Sequence, residues 1–194
     1  MSFNRAILFE GSLIIIAAIL AWIFGVPLLA DFNWEWKATL LGLSSTLPLL
    51  AFFAWLLQSD YPAFIEVRDF LNTFVVQVFG KWSVLQLAAL SVTAGIGEEI
   101  LFRGVLQPGM SQWTSPVIGL LIASFAFAVC HALTKAYFIS TFVIGIYLSI
   151  VWQAADNLLA PIVTHAVYDF LALLYFMKWL RPKDRASEKE EADK

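Results

Sequence analysis

The chain is poor in charged residues and nearly lacks cysteine. Of its 194 residues 14% are charged and 60% are hydrophobic, whereas typical soluble domains have about 25% charged residues. The single cysteine, Cys130, excludes an internal disulfide framework and a cysteine-only metal site. Its apolar surroundings predict a small buried hydrophobic residue. A net charge of −3 without a basic stripe argues against nucleic acid as a partner.

Apolar runs long enough to cross a bilayer recur along the chain. About 20 apolar residues cross roughly 30 Å of hydrocarbon. We predict six spans, near residues 7–30, 38–57, 82–107, 116–133, 137–152 and 161–180. The stretch 61–80 mixes charged with aromatic residues, which favours an interfacial amphipathic helix. The predicted fold is all-α, a polytopic transmembrane helical bundle of about six spans plus an interfacial helix.

Domain boundaries follow from the same pattern. No linker divides residues 1–180, so they are predicted to form one transmembrane helical domain. The charged segment 181–194 contains few hydrophobic residues and is predicted to be a disordered tail. Pro108-Gly109 is predicted to end the third span.

The distribution of lysine and arginine predicts the orientation. With six spans both termini lie on one side, and that side would hold most basic residues, namely Arg5, Arg68, Lys81, Lys135 and the six from Lys178 onward. The other side would hold only Lys37 and Arg103. The positive-inside rule therefore predicts that both termini face the cytoplasm. The predicted location of the protein is the cell membrane. Glu98 and His165 would then lie on the outer side of mid-membrane and His131 toward the cytoplasm, which leaves the depth of a shared site open.

Two adjacent carboxylates, Glu98 and Glu99, interrupt the third span. A charged side chain at membrane depth costs about 2.5–3.5 kcal/mol on insertion scales, so both need partners and suggest a functional site. Arg103 follows Glu99 by four positions, the favourable order for a helical ion pair. Glu98 projects about 100° away from Glu99 and is left free to accept a proton.

Both histidines of the chain also lie in apolar segments. Phe127 precedes His131 by four positions, and His165 precedes Asp169 by four, so each pair shares a helix face. His165 and Asp169 together could hold a substrate oxygen, a water or a metal ion. Each histidine alone is typical of an interhelical hydrogen bond. The joint occurrence of Glu98, His131, His165 and Asp169 favours a functional site, because placing each such side chain inside a membrane span costs free energy.

These residues, in this order, resemble the CPBP intramembrane proteases, also called the CAAX protease and bacteriocin-processing, or Abi, family. The resemblance lies in Glu-Glu-x-x-x-Arg at 98–103, Phe-x-x-x-His at 127–131 and His-x-x-x-Asn/Asp at 165–169. It implies an intramembrane endopeptidase that cleaves a membrane-associated protein or peptide, with a protease core at about 82–180. Membrane lipid and that substrate are the expected partners.

The resemblance also implies roles for the residues. Glu98 would activate water as general base and His131 would orient that water, while Glu99, Arg103 and Phe127 support them. His165 and Asp169 would face the oxyanion of the tetrahedral intermediate. Prenyl-protein members carry asparagine at the position of Asp169, and an ionised aspartate cannot donate a hydrogen bond. Asp169 would therefore act protonated, or else orient His165 or bind a metal.

Metal use and two other function classes stay open. Glu98, His131, His165 and Asp169 could supply zinc ligands, but without a His-Glu-x-x-His motif we favour a metal-free glutamate mechanism. A proton-coupled transporter could line a relay with the same residues, although no repeat or pair of broken helices is present. A non-catalytic scaffold or immunity-type protein of the same fold would tolerate Glu98→Gln.

Overall fold

The computed structural model describes residues 1–179, which are helical with short connections and contain no strand. The helices are α1 (Phe3–Phe24), α2 (Trp36–Gln58), α3 (Pro62–Phe79), α4 (Val84–Glu99), a π-helix (Ile100–Leu106), α5 (Gln107–Trp113), α6 (Pro116–Cys130), α7 (Lys135–Ala155) and α8 (Leu159–Trp179). The predicted tail 181–194 and the predicted end of the last span at residue 180 lie outside the described residues.

The helices confirm the predicted all-α transmembrane fold. Within residues 1–179, five helices are long and apolar enough to cross a membrane: α1, α2, the continuous run Val84–Trp113, α7 and α8. The predicted fourth span corresponds to α6, which is apolar but only 15 residues long. Helix α3 does not reach the hydropathy of a span, in line with the interfacial helix predicted for 61–80.

Capping residues begin the helices that carry the site. Ser83 and Gln86 form a reciprocal capping box at the start of α4, which satisfies two backbone N–H groups that a helix end leaves unpaired. The side chains of Ser115 and Thr134 accept hydrogen bonds from Ile118 N and Tyr137 N at the starts of α6 and α7. These polar residues fix where each helix begins between apolar runs.

The predicted break at Pro108-Gly109 is wrong, because the helix continues through both residues to Trp113. The π-helix Ile100–Leu106 comes directly before them, and Gln107 N still donates to Phe102 O. Proline normally breaks a helix because its ring clashes with the carbonyl four residues earlier and because it has no N–H. The wider π turn relieves this conflict, so the chain gains a local bulge instead of an end.

Small residues bring the helices close together around the glutamate pair. A Cβ atom at Gly95 would lie 3.1 Å from the Ala166 Cβ of α8, and one at Gly97 would lie 2.6 Å from the Glu10 carbonyl oxygen of α1. A Cβ at Gly145 in α7 would lie 3.2 Å from Ser124 in α6. Such close approach replaces the hydrophobic driving force that is missing between helices in lipid.

The short α6 brings His131 to the level of Glu98. The run Val84–Trp113 has 30 residues, with Glu98 near its middle, and α6 returns antiparallel from its end. Because α6 has only 15 residues, about 22 Å, it ends level with Glu98 instead of at the far side. His131 follows at that end, so the predicted difference in depth between His131 and Glu98 is not found.

Candidate active site

Glu99 and Arg103 form the ion pair that their spacing predicted. Arg103 Nη1 donates to Glu99 Oε1 at 2.8 Å, and both side chains are fully buried. The guanidinium also donates through Nη2 to Gly145 O at 2.8 Å, while Nε lies 3.5 Å from Ser149 Oγ. A buried charge needs both a counter-charge and hydrogen bonds, and Arg103 has both. The pair joins the π-helix to α7.

His165 lies between two carboxylates. Its Nδ1 is 2.8 Å from Glu99 Oε1 and its Nε2 is 3.3 Å from Asp169 Oδ2. The contact with Asp169 stays within α8, whereas the contact with Glu99 crosses to α4 over 66 positions of sequence. The sequence indicated only the first of these contacts. Glu99 Oε1 therefore receives both Arg103 and His165, and both ring nitrogens of His165 have protein partners.

Glu98 faces the other histidine. The residue is 8% exposed, and its Oε2 has no hydrogen-bond partner among residues 1–179. Its Oε2 lies 3.8 Å from His131 Nε2, which exceeds a direct hydrogen bond and suits a bridge through one water. His131 Nδ1 is 2.8 Å from Phe127 O. A carbonyl oxygen only accepts, so Nδ1 carries the proton and neutral His131 has Nε2 as an acceptor.

Phe127 forms a wall shared by these groups. Its ring centroid is 4.5 Å from that of His131 and 5.9 Å from that of His165. Arg103 Cζ lies 4.7 Å from the same centroid, within the range of a cation–π contact. The buried ring therefore separates the histidines and covers the guanidinium with apolar surface.

The structure brings all seven sequence-predicted residues into one cluster. They come from α4, the π-helix, the end of α6 and the middle of α8, and comprise Glu98, Glu99, Arg103, Phe127, His131, His165 and Asp169. The predicted burial of Cys130 is wrong, because this last residue of α6 is exposed. The face of α6 that packs inward carries Phe127 instead.

Sequence reasoning missed part of this region. A cavity of about 90 Å³ adjoins the histidines, and Tyr137 and Tyr168 line it together with His165 and Asp169. Tyr137 follows His131 across a loop, so no helical spacing connects them, whereas Tyr168 directly precedes Asp169. Glu10 of α1 packs its backbone on Gly97, and its Oε2 is buried without a partner among the described residues. Its position inside an apolar span was the available signal.

The candidate zinc ligands do not form a metal site in this arrangement. Among residues 1–179, no group of three or more His, Cys, Asp and Glu side chains is placed to hold a metal ion. Both nitrogens of His165 already contact carboxylates, and His131 Nδ1 contacts Phe127 O. Catalytic zinc typically has three protein ligands, and the described side chains do not place three such groups around one point.

Comparison with known proteins agrees with the three motifs. The family described as "Rce1-like: Type II CAAX prenyl endopeptidase Rce1-like" matches residues 80–171, which confirms the resemblance. The uncharacterized protein YpbD of Bacillus subtilis (strain 168) is 32% identical over 96 residues, covering 48% of this chain and 47% of YpbD. The match thus spans about half the length of this curated relative. No solved structure matches the chain.

Proposed function

We propose that the chain hydrolyses a peptide bond of a membrane-associated protein or peptide inside the bilayer, and the premise is that residues 80–171 match the Rce1-like family of type II CAAX prenyl endopeptidases. The observation that carries the proposal is the difference between the two glutamates. Glu99 is bonded to Arg103 and His165, whereas Glu98 Oε2 has no hydrogen-bond partner among residues 1–179 and faces His131. A carboxylate without a tight cationic partner suits a general base.

Glu98 and His131 are suited to hold the attacking water. Glu98 Oε2 and His131 Nε2 are 3.8 Å apart, so a water beside the two atoms can lie within hydrogen-bond distance of both. Both facing atoms are acceptors, since Phe127 O fixes the proton of the neutral imidazole on Nδ1. A water between them donates both of its protons, and a lone pair of its oxygen is then free to attack.

The reaction can be written with these two residues. The water oxygen bonds to the scissile carbonyl carbon while Glu98 takes one of its protons, and the carbonyl becomes a tetrahedral oxyanion. Glu98 then gives that proton to the amide nitrogen, the carbon–nitrogen bond breaks, and a carboxylic acid and an amine leave. His131 holds the water by its remaining proton. Such acid–base catalysis contributes about 10²–10⁴-fold to a rate.

Glu99, Arg103 and His165 act as positioning residues. One Glu99 oxygen accepts from both Arg103 Nη1 and His165 Nδ1 at 2.8 Å, which ties α4, the π-helix and α8 together. Asp169 contacts the other nitrogen of His165 at 3.3 Å. This contact favours the second role considered for Asp169, orienting His165, over donation to the oxyanion, because an ionised aspartate only accepts hydrogen bonds.

The test is a comparison of membranes that contain the wild type and Glu98→Gln. A glutamine has the same shape but cannot accept a proton in this way, so we expect substrates to accumulate uncut and turnover to fall by about 10²-fold or more. Expression and melting temperature should stay near those of the wild type. Because the family name points to prenylated CAAX peptides, a farnesylated and an unmodified CAAX-type peptide are the first defined probes.

Glu35→Gln is the matched control, since Glu35 is the exposed N-cap residue of α2. It should cleave as the wild type does. If Glu98→Gln keeps more than about a tenth of wild-type activity, Glu98 is not the base. If the wild type and Glu98→Gln give the same membrane proteome and neither cleaves the peptides, the chain is better described as a scaffold.

The membrane setting of this reaction is part of the proposal. Five long apolar helices and the family indicate an integral membrane protein. We further infer that α6 completes a sixth crossing together with its flanking loop, so that both termini lie in the cytoplasm and the cell membrane holds the protein. The basic residues Arg5, Arg68, Lys81 and Lys135 support this orientation.

A further inference from the structure

The cavity beside the two histidines contains two tyrosine side chains that the proposed mechanism leaves unused. It has a volume of about 90 Å³ and lies between α2, α6, α7 and α8. His131, His165 and Asp169 line it, and Tyr137, Tyr168 and Thr141 are the other polar residues of its wall. Phenylalanine, leucine and isoleucine side chains cover the rest, so a substrate carbonyl group entering here would leave part of its water behind.

The hydroxyl groups of these two tyrosines differ from that of Tyr147. The hydroxyl of Tyr147 donates to Ser45 O at 2.8 Å. Within residues 1–179, the side chains of Tyr137 and Tyr168 form no hydrogen bond, although Tyr137 N is bonded to Thr134 Oγ1 at 3.1 Å. Tyr137 and Tyr168 are both half-buried and line the cavity. A tyrosine hydroxyl that has no protein partner can donate its hydrogen bond to a ligand.

The proposed reaction needs such a donor at this wall. Its tetrahedral intermediate carries a negative oxygen, which requires hydrogen-bond donors in place before the charge forms. His165 already directs both ring nitrogens to Glu99 and Asp169. Asp169, when ionised, can only accept a hydrogen bond. The two residues that family resemblance assigns to the oxyanion therefore face each other within ion-pair distance.

We propose that the Tyr137 hydroxyl donates a hydrogen bond to the oxyanion of the tetrahedral intermediate, as a catalytic residue of this chain. The inference rests on the proposed proteolysis. Tyr137 suits the role better than Tyr168 because its ring lies 6.5 Å from that of His131, which holds the water. The Tyr168 ring instead stands against Phe53 of α2, with 6.2 Å between centroids. The Thr134 cap fixes Tyr137 at the start of α7.

Tyr137→Phe tests the hydroxyl while keeping the ring. The probe is a quenched-fluorescent peptide built on the bond that the wild type cleaves and Glu98→Gln does not. We expect kcat to fall about 10²- to 10³-fold, the effect of losing one oxyanion donor, with KM changed less than about threefold. The melting temperature should not change, because in residues 1–179 the hydroxyl bonds to nothing in the resting protein.

Tyr147→Phe is the matched control, because it removes a tyrosine hydroxyl that has a structural partner, Ser45 O. It should lower the melting temperature and leave kcat unchanged. The inference is overturned if Tyr137→Phe keeps more than about a tenth of wild-type kcat, or if its loss of kcat follows an equal loss of folded protein. Activity of Glu98→Gln on the same peptide would instead reject the proposed function itself.

Discussion

The buried bonds at Glu99 support a quantitative prediction about stability. Glu99 and Arg103 are both fully buried, and Glu99 Oε1 accepts from Arg103 Nη1 and His165 Nδ1 at 2.8 Å each. We consider the single variants Glu99→Gln and Arg103→Met and the double variant that combines them. Each single change leaves a charge inside the bundle without its main counter-charge. The double change removes both charges and keeps similar side-chain volumes.

The expected magnitudes follow from what each variant leaves behind. Removing one partner of a buried pair costs about 3–5 kcal/mol of unfolding free energy. Glu99→Gln should lie near the lower end, since Arg103 keeps its hydrogen bond to Gly145 O. After Arg103→Met, Glu99 keeps its contact with His165 Nδ1 at 2.8 Å.

A double-mutant cycle measures this coupling. Reversible unfolding in mixed micelles should show that the double variant loses about 2–3 kcal/mol less stability than the sum of the two single losses, a coupling energy in the upper part of the range for residues in contact. Glu35→Gln and Lys37→Met form the control cycle, because both residues are exposed and their effects should add. Additivity of the Glu99 and Arg103 changes within about 0.5 kcal/mol would refute the reasoning.

Two further predictions concern Asp169 and the orientation of the chain. Because Asp169 contacts His165 Nε2 at 3.3 Å, Asp169→Asn should lower activity about 10- to 100-fold across a pH–rate profile, as for other lost supporting partners, with or without chelator. Retained or raised activity, with a flatter alkaline limb of the pH–rate profile, would instead support a role for Asp169 as hydrogen-bond donor to the oxyanion. In a Cys130→Ser background, an impermeant maleimide should label intact cells at Lys37→Cys and not at Lys81→Cys. Labelling of Lys81→Cys alone would reverse the proposed orientation.

The helices of this fold were predictable because a bilayer imposes a simple rule on sequence. A crossing segment must satisfy its own backbone and be apolar over about 20 residues. The ends were less predictable, since they depend on local partners that hydropathy ignores. At Pro108 the π turn upstream kept the helix intact. The predicted fourth span ran past Cys130 because Ala132 and Leu133 are apolar, yet the helix ends at Cys130.

Within the site, sequence predicted the contacts that helix periodicity governs. The pairs Glu99–Arg103 and His165–Asp169 are each four residues apart and lie within contact distance. The contact between Glu99 and His165 was not predictable, because it depends on how closely α4 and α8 approach at Gly95. The position of Tyr137 at the site was not predictable for a similar reason. Its place beside His131 depends on the loop that joins α6 to α7.

The adjacency of Glu98 and Glu99 explains how one short segment can hold both the proposed base and a structural anchor. Neighbouring helical residues point about 100° apart, so their carboxylates enter different surroundings. Two hydrogen-bond donors, Arg103 and His165, converge on Glu99, whereas Glu98 meets the acceptor nitrogen of His131. Surroundings of this kind assign different roles to chemically identical groups. The two glutamates are therefore not interchangeable, although the side chains are the same.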